Sequence, residues 1–408
     1  MTKWKHNNNT IEVLDCIMSA GKTTGIINWM KENPSNRYLY VSPLKSEVEE
    51  RIPEACEALE FVFPSLDSHG KKSDCLLEMI KERRNIAFTH SLFTMMTEEH
   101  LQAIDQNNYT LIIDEEIDFI NGYTGNYNCS DIMTLEAEGK VVVDEDNLGA
   151  VKWTWDDNFV DGSAYTRLKR LCSMGMLHCA KRDRQMMVLQ LPVNLVKVTE
   201  RTIVLTYLFK GGVMDSFIRM RGLDVIDFTE ATLMRTEQEV KEQARKLIKI
   251  TTTPTVNKVK KWSLSSTWYS KNATKEQLNV VSNAFRSACN KLGHYEEVAY
   301  TLRKDNLTGG RKINIRGYPA DECYMAANIR ATNAYAHKTG LVHGYNRFPM
   351  LSVSAYLSDY GFPVDDDSYA LSELVQWVWR SAIRNYQEVN LVFLSARMEK
   401  LFKEWLEK

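Results

Sequence analysis

No CxxC pair occurs anywhere in the 408 residues, and the eight cysteines are scattered, the nearest two being Cys172 and Cys179. Spacing of that kind gives neither a zinc site nor a disulfide framework, and it reads as reduced cytosolic thiols. An excess of charge is missing too: 51 Lys and Arg stand against 53 Asp and Glu, for a formal net charge of −2. Without a global cationic field, any nucleic acid must be met in a local groove. No apolar run approaches the roughly 18 residues of a membrane span, so no membrane partner is expected. The polar start MTKWKHNNNTIEV has no apolar core and does not read as a signal peptide. Internal repeats are absent, and Asn7-Asn8-Asn9 is the only low-complexity tract. What is present is an ordinary globular composition, 44% hydrophobic and 25% charged. The length accommodates two domains, since single cores stop growing near roughly 250–300 residues.

One stretch makes chemical demands on the rest. In Leu14–Thr24, LDCIMSAGKTT, an apolar run from Ile11 to Ile17 leads into Gly21-Lys22-Thr23, and Gly25–Met30 leads out with helical spacing. A strand-to-helix turn of this type binds phosphate. Backbone N–H groups from Ser19, Ala20, Gly21, Lys22, Thr23 and Thr24 face the anion, Lys22 neutralises the β/γ oxygens, and the Thr23 hydroxyl ligates Mg²⁺. The full pattern has glycine where this chain has Cys16, a place where loose backbone geometry is expected to be reduced. A G-K-T at a helix start also occurs by chance, so a second metal-binding element is required.

Downstream, strand and helix alternate. Arg37–Val41 reads as a buried strand before Ser42-Pro43-Leu44, Lys45–Leu59 as helix, Asn85–Phe88 as a strand before Thr89-His90, and Thr97–Gln106 as helix. Such alternation implies a parallel sheet flanked by helices. The strand Tyr109–Ile113 then ends in Asp114-Glu115-Glu116. Carboxylates at the end of a buried parallel strand lie where α/β sheets bind ligands. Asp114 suits Mg²⁺, directly or through water, and Glu115 suits orienting and deprotonating the attacking water. The competing role is capping of a following helix.

Residues 121–198 lose this pattern and read as an inserted lobe, with a hairpin near Gly139–Val143, the tryptophans Trp153 and Trp155 among carboxylates, and a basic helix Tyr165–Leu171. Lys181-Arg182-Asp183-Arg184 reads as solvated surface. Thr202–Phe209 and Gly222–Phe228 read as the last strands of a first domain, 1–229, and 230–408 as a second without its own phosphate loop. In that half Trp262–Trp268, Glu297–Leu302 and Glu322–Asn328 read as strands and Lys275–Leu292 as helix. On Ala370–Asn385, ALSELVQWVWRSAIRN, Gln376, Arg380 and Arg384 recur every four residues and are expected to form one stripe of a helix. Arginines so placed can bring guanidinium charge to a transferring phosphate. Trp377 and Trp379 cannot share a face, and core packing is the expected role of each.

Phosphate loop, DEEID and QWVWRSAIR in this order resemble the superfamily 2 DEAD-like helicases, particularly compact helicases encoded by bacteriophages. The resemblance also takes in Val41-Ser42-Pro43-Leu44, Thr89-His90-Ser91, Leu205–Phe209, Arg330–Tyr335 and Tyr345–Phe348. It implies an α/β fold of two RecA-like domains with ATP between them and a helicase or translocase driven by ATP and Mg²⁺. Glu115, Gln376, Arg380 and Arg384 are then catalytic, and Thr206 lies in the element coupling hydrolysis to movement. Pro43, Thr89 and Thr332 face the nucleic-acid backbone, with DNA favoured over RNA. Phage DNA replication or recombination, with proteins of those processes as partners, in the host cytoplasm, is the implied setting. The alternative is an ATP-gated binding, loading or remodelling factor without processive unwinding.

Overall fold

In a computed structural model, residues 4–66, 70–115, 117–156, 158–160, 162–181, 186–329 and 332–408 are described. Glu116, Arg182-Asp183-Arg184 and Arg330-Ala331, which fall in stretches named above, lie outside them, as does Asp157 of the acidic stretch after Trp155. The chain divides into two compact units, one of Met1–Asp15, Thr23–Thr232 and Pro349–Asp365, the other of Cys16–Lys22, Leu233–Phe348 and Asp366–Lys408.

The first unit opens with β1 (Thr10–Asp15), β2 (Arg37–Ser42), β3 (Ile86–Thr89) and β4 (Tyr109–Asp114). Every residue of β4 is buried, as expected of a parallel strand covered on both faces. A lobe follows, with β5 (Ile120–Gly122), β6 (Val141–Asp144), β7 (Ala150–Trp153), β8 (Leu177–Cys179) and β9 (Met187–Gln190). The chain then returns as β10 (Arg201–Thr206) and β11 (Asp224–Asp227). The main sheet has the order β11-β1-β10-β4-β2-β3 and is parallel throughout.

The lobe is a separate antiparallel sheet, β5-β9-β8-β7-β6, inserted between β4 and β10. Val141, Val151, Leu168, Cys172 and Leu177 form its core. The basic helix is present at Thr166–Ser173. Trp153 stacks on Trp155 with ring centroids 5.7 Å apart, Phe159 meets both edge-on, and the Lys140 ammonium lies 4.0 Å from the Trp155 ring centroid.

Pro349–Asp365 belongs to this unit although a division at 229/230 puts it in the second half. The reason is packing. The helix Leu351–Asp359 lies against the helix Val213–Met220 and against β5 and β9. Tyr356 Oη donates to the Leu148 carbonyl at 2.6 Å, and Ser216 Oγ to that of Pro363 at 3.1 Å.

The second unit carries β12 (Ile248–Thr251), β13 (Val298–Thr301), β14 (Gly340–His343) and β15 (Val389–Phe393) in the order β12-β15-β14-β13, again all parallel. Its long helix, Lys275–Leu292, starts with a Thr274/Gln277 capping box and buries Leu278, Val281, Phe285 and Cys289. Helices flank both parallel sheets.

Several expected elements differ. Trp262–Trp268 is not a strand: Leu264 takes a left-handed φ of 49°, and Ser265 Oγ accepts the Trp268 N–H, so a helical turn Trp268–Asn272 begins there. Glu322–Asn328 is a short helix end followed by one isolated bridge, Tyr324 to Tyr300. Lys45–Leu59 breaks into short helical pieces around Pro53. The arginine helix also stops early. Asp366–Val378 is helical, but the N–H groups of Arg380 and Ser381 turn to the carbonyls of Trp377 and Val378, and Ala382 N–H bonds Lys338 O. Arg384 falls in a separate turn, Ala382–Asn385. Gln376, Arg380 and Arg384 therefore share no helical stripe.

Candidate nucleotide site

Parallel register carries distant residues to one edge of the first sheet. Asp15 pairs with Thr206 across β1 and β10, Leu205 with Asp114 across β10 and β4, and Ser42 with Thr89 across β2 and β3. The loop that follows Asp15, Thr206, the Asp114-Glu115 pair, Ser42-Pro43 and Thr89 thus all emerge at the carboxyl ends of the strands. That is the edge at which open α/β sheets hold ligands.

The loop from Cys16 to Gly21 joins β1 to the helix Lys22–Glu32. It turns through Ser19 (φ 64°) and Gly21 (φ 93°), both left-handed. Gly21 takes that conformation without a steric penalty, and a Cβ there would lie 2.8 Å from Met234 Cγ. Cys16 is not among the positive-φ residues. The expected loss of backbone freedom at Cys16 is therefore not felt, because the left-handed positions fall elsewhere in the loop. The Ala20 carbonyl accepts the N–H groups of Met234 at 3.0 Å and Arg235 at 3.3 Å, which pins the loop's second half. Lys22 Nζ donates to the Cys16 carbonyl at 2.7 Å, bending the ammonium back across the loop. Thr23 and Thr24, both half-buried, occupy the first helical turn, where N–H groups lack intrahelical acceptors and favour an anion.

Asp114 closes β4 with its side chain only 8% exposed. Tyr40, fully buried in β2, donates Oη to Asp114 Oδ2 at 2.7 Å. Burial first, and then the Asp114 charge, hold the Tyr40 phenol well above its ordinary pKa of 10, so it remains a donor. From the turn after β3, His90 Nε2 lies 3.0 Å from the Asp114 backbone oxygen. Glu115 has a left-handed φ of 65°, and its N–H bonds the Leu205 carbonyl at 3.0 Å. The chain leaves the sheet at this point into the lobe. A left-handed non-glycine residue is uncommon and marks sites whose surroundings over-determine the backbone.

Asp15, the last residue of β1, accepts the N–H groups of Leu208 at 2.8 Å and Phe209 at 3.1 Å. The segment after Thr206 is thereby held to the strand that feeds the Cys16–Gly21 loop. Thr89 caps the turn His90–Phe93 through the Leu92 N–H, and Pro43 follows β2 half-buried. Mg²⁺ fits this donor set: one carboxylate and one hydroxyl are hard oxygen ligands, and the ion commonly takes one or two protein ligands with phosphate and water completing its shell. Among the described residues no group of three or more His, Cys, Asp or Glu is placed to hold a metal ion.

In the second unit, Gln376 Nε2 donates to Ser372 Oγ within the helix Asp366–Val378. Arg380 is 7% exposed in the turn that ends this helix, whereas Arg384 is exposed and donates to Asn333 Oδ1 at 2.5 Å. Thr332 Oγ1 accepts the Ala334 N–H at 3.1 Å. Trp377 and Trp379 are core residues, the first donating its indole N–H to the Met325 carbonyl and the second meeting Trp405 edge-on. His90, without ligand spacing in the sequence, has the backbone hydrogen-bonding role expected of it, whereas sequence reasoning missed Asp15 and Tyr40. The one local signal was a polar group inside, or just after, an apolar run.

Residues 242–406 match the family model of the YonV C-terminal Rossmann-like domain. Over 97% of its length the chain is 30% identical to the SPbeta prophage-derived uncharacterized protein YonV of Bacillus subtilis (strain 168), covering 98% of that protein. The chain belongs to the YonV family. Its structure is similar to one titled as apo XPD (TM-score 0.55, 12% identity, 99% of this chain and 96% of that one) and to Xpd4 of S. tokodaii (TM-score 0.50, 12% identity, 99% and 95%). At that identity the likeness is one of fold. This YonV-family fold is mixed α/β with two RecA-like domains, each a parallel sheet flanked by helices. Among the described residues no helix is long and apolar enough to cross a membrane.

Proposed function

We propose that the chain is an ATP-dependent nucleic-acid helicase or translocase. One observation carries this reading: the register of the first sheet brings the loop before Lys22-Thr23 to the same edge as Thr206, Asp114-Glu115, Pro43 and Thr89. Lys22 and the N–H groups from Ser19 to Thr24 bind the phosphates. Thr23 and Asp114 hold Mg²⁺, which when bound offsets charge on the phosphate oxygens. Glu115 orients a water and takes its proton as the oxygen attacks the γ-phosphorus, the bond from that phosphorus to the β–γ bridging oxygen breaks, and ADP leaves with phosphate as the other product. Thr206, joined to the phosphate-loop strand through Asp15, passes the nucleotide state to the strand-binding residues Pro43, Thr89 and Thr332. Arg380 and Arg384, with Gln376, contribute to the hydrolytic step from the second domain.

The superfamily 2 resemblance of the motifs and the XPD-like fold support this reading. The prophage origin of the YonV relative supports a phage or prophage setting, host-cytoplasmic, with DNA favoured over RNA and replication or recombination as the process served. Strand displacement on forked and tailed duplexes, measured beside ATP-dependent binding of single strands, tests it. Displacement that requires ATP is expected; ATP-dependent binding with no displacement would instead make the chain a loading or remodelling factor.

A further inference from the structure

Asp114 is held at two points by residues outside the phosphate-loop and DEE motifs. Tyr40 stands opposite Ile112 in the neighbouring strand and is completely buried. Its hydroxyl donates to Asp114 Oδ2 at 2.7 Å. His90 Nε2 lies 3.0 Å from the same residue's carbonyl oxygen. A carboxylate that binds a cation through one oxygen needs its other oxygen oriented, and such supporting hydrogen bonds tune metal affinity by roughly 10–100-fold.

We propose that Tyr40 is a positioning residue for the divalent cation: by donating to Oδ2 it fixes the orientation in which the Asp114 carboxylate would meet the metal. This rests on the nucleotide-binding reading of the edge. A phenol suits the task because it stays neutral. A cation there would repel the metal, and a second carboxylate would compete for it. Tyr40 touches neither substrate nor metal in this role and acts only through Asp114.

The test is Mn²⁺ binding to the full chain with ADP, followed by electron paramagnetic resonance, for wild type, Tyr40→Phe, Asp114→Asn and Lys22→Ala, with thermal melts alongside. Tyr40→Phe keeps the ring and removes only the hydroxyl. It is expected to weaken Mn²⁺ binding about 10-fold, to raise the Mg²⁺ concentration for half-maximal ATP hydrolysis to match, and to recover most of kcat at saturating Mg²⁺. Wild-type Mn²⁺ affinity in folded Tyr40→Phe, with Asp114→Asn defective, overturns the positioning role and leaves the nucleotide site standing. If Asp114→Asn and Lys22→Ala both bind Mn²⁺–ADP as wild type does, the nucleotide reading fails and the role of Tyr40 falls with it.

Discussion

Asp15 accepts the backbone N–H of Leu208 at 2.8 Å, tying the end of β1 to the turn that follows Thr206. Leu208 is left-handed, with a φ of 57°, so the turn is held in an uncommon conformation. Asp15→Ala removes the acceptor for this N–H and for that of Phe209. Nucleic acid should then stimulate ATP hydrolysis at least about 5-fold less than in wild type, while the KM for ATP stays close to normal. Full stimulation in Asp15→Ala would remove this turn from the coupling path.

Cys16 stands at the loop position where glycine is usual, yet the left-handed residues are Ser19 and Gly21. Cys16→Gly is therefore expected to leave nucleotide affinity unchanged. Its side chain is 7% exposed, so the same change should destabilise the fold by about 1–2 kcal/mol through lost packing and added chain freedom. Titration with a fluorescent ATP analogue and a thermal melt read the two effects separately. A marked gain in affinity would show that the loop does use backbone freedom at this position.

Arg384 is exposed and bonded to Asn333, whereas Arg380 is buried at a helix end. Arg384→Ala should lower kcat by roughly 10-fold or more with little change in ATP affinity, if its guanidinium serves the transferring phosphate. Arg380→Ala should lower the melting temperature as well. An Arg384→Ala variant with normal kcat and weakened ATP binding would exclude the catalytic role.

His343, 1% exposed between Trp377 and Phe393, has its pKa lowered to about 3 by burial, with a smaller contribution from Arg347. Its folded pKa lies below the unfolded value of about 6.5, so its stability contribution is complete above pH 6.5 and is lost as pH falls toward 3. The unfolded chain takes up a proton in that window and the folded chain does not, giving a loss on the order of 2 kcal/mol by pH 5. Urea midpoints at pH 7.5 and pH 5 should converge in His343→Phe relative to wild type. An unchanged difference between the two midpoints would assign the acid sensitivity elsewhere.

The features legible in the sequence were local ones. The Leu14–Thr24 motif is a run of adjacent residues, β4 is a continuous apolar run ending in carboxylates, and Lys275–Leu292 announces itself by its apolar spacing. The lobe strands, three or four residues each, are too short for a period to show. Spacing alone put Gln376, Arg380 and Arg384 on one stripe, but the Ala382–Lys338 bond pulls the chain out of the helix before Arg384. The Tyr40–Asp114 and Asp15–Leu208 bonds join residues far apart in sequence. Only the sheet order brings them within reach.

The most direct test of ATP-driven action on nucleic acid is hydrolysis by the purified chain, alone and with single-stranded DNA, duplex DNA, branched DNA or RNA, beside Lys22→Ala and Glu115→Gln. Hydrolysis stimulated by at least one nucleic acid, and abolished in both variants while their thermal melts match wild type, is the predicted result. Undiminished turnover in folded Lys22→Ala would contradict it.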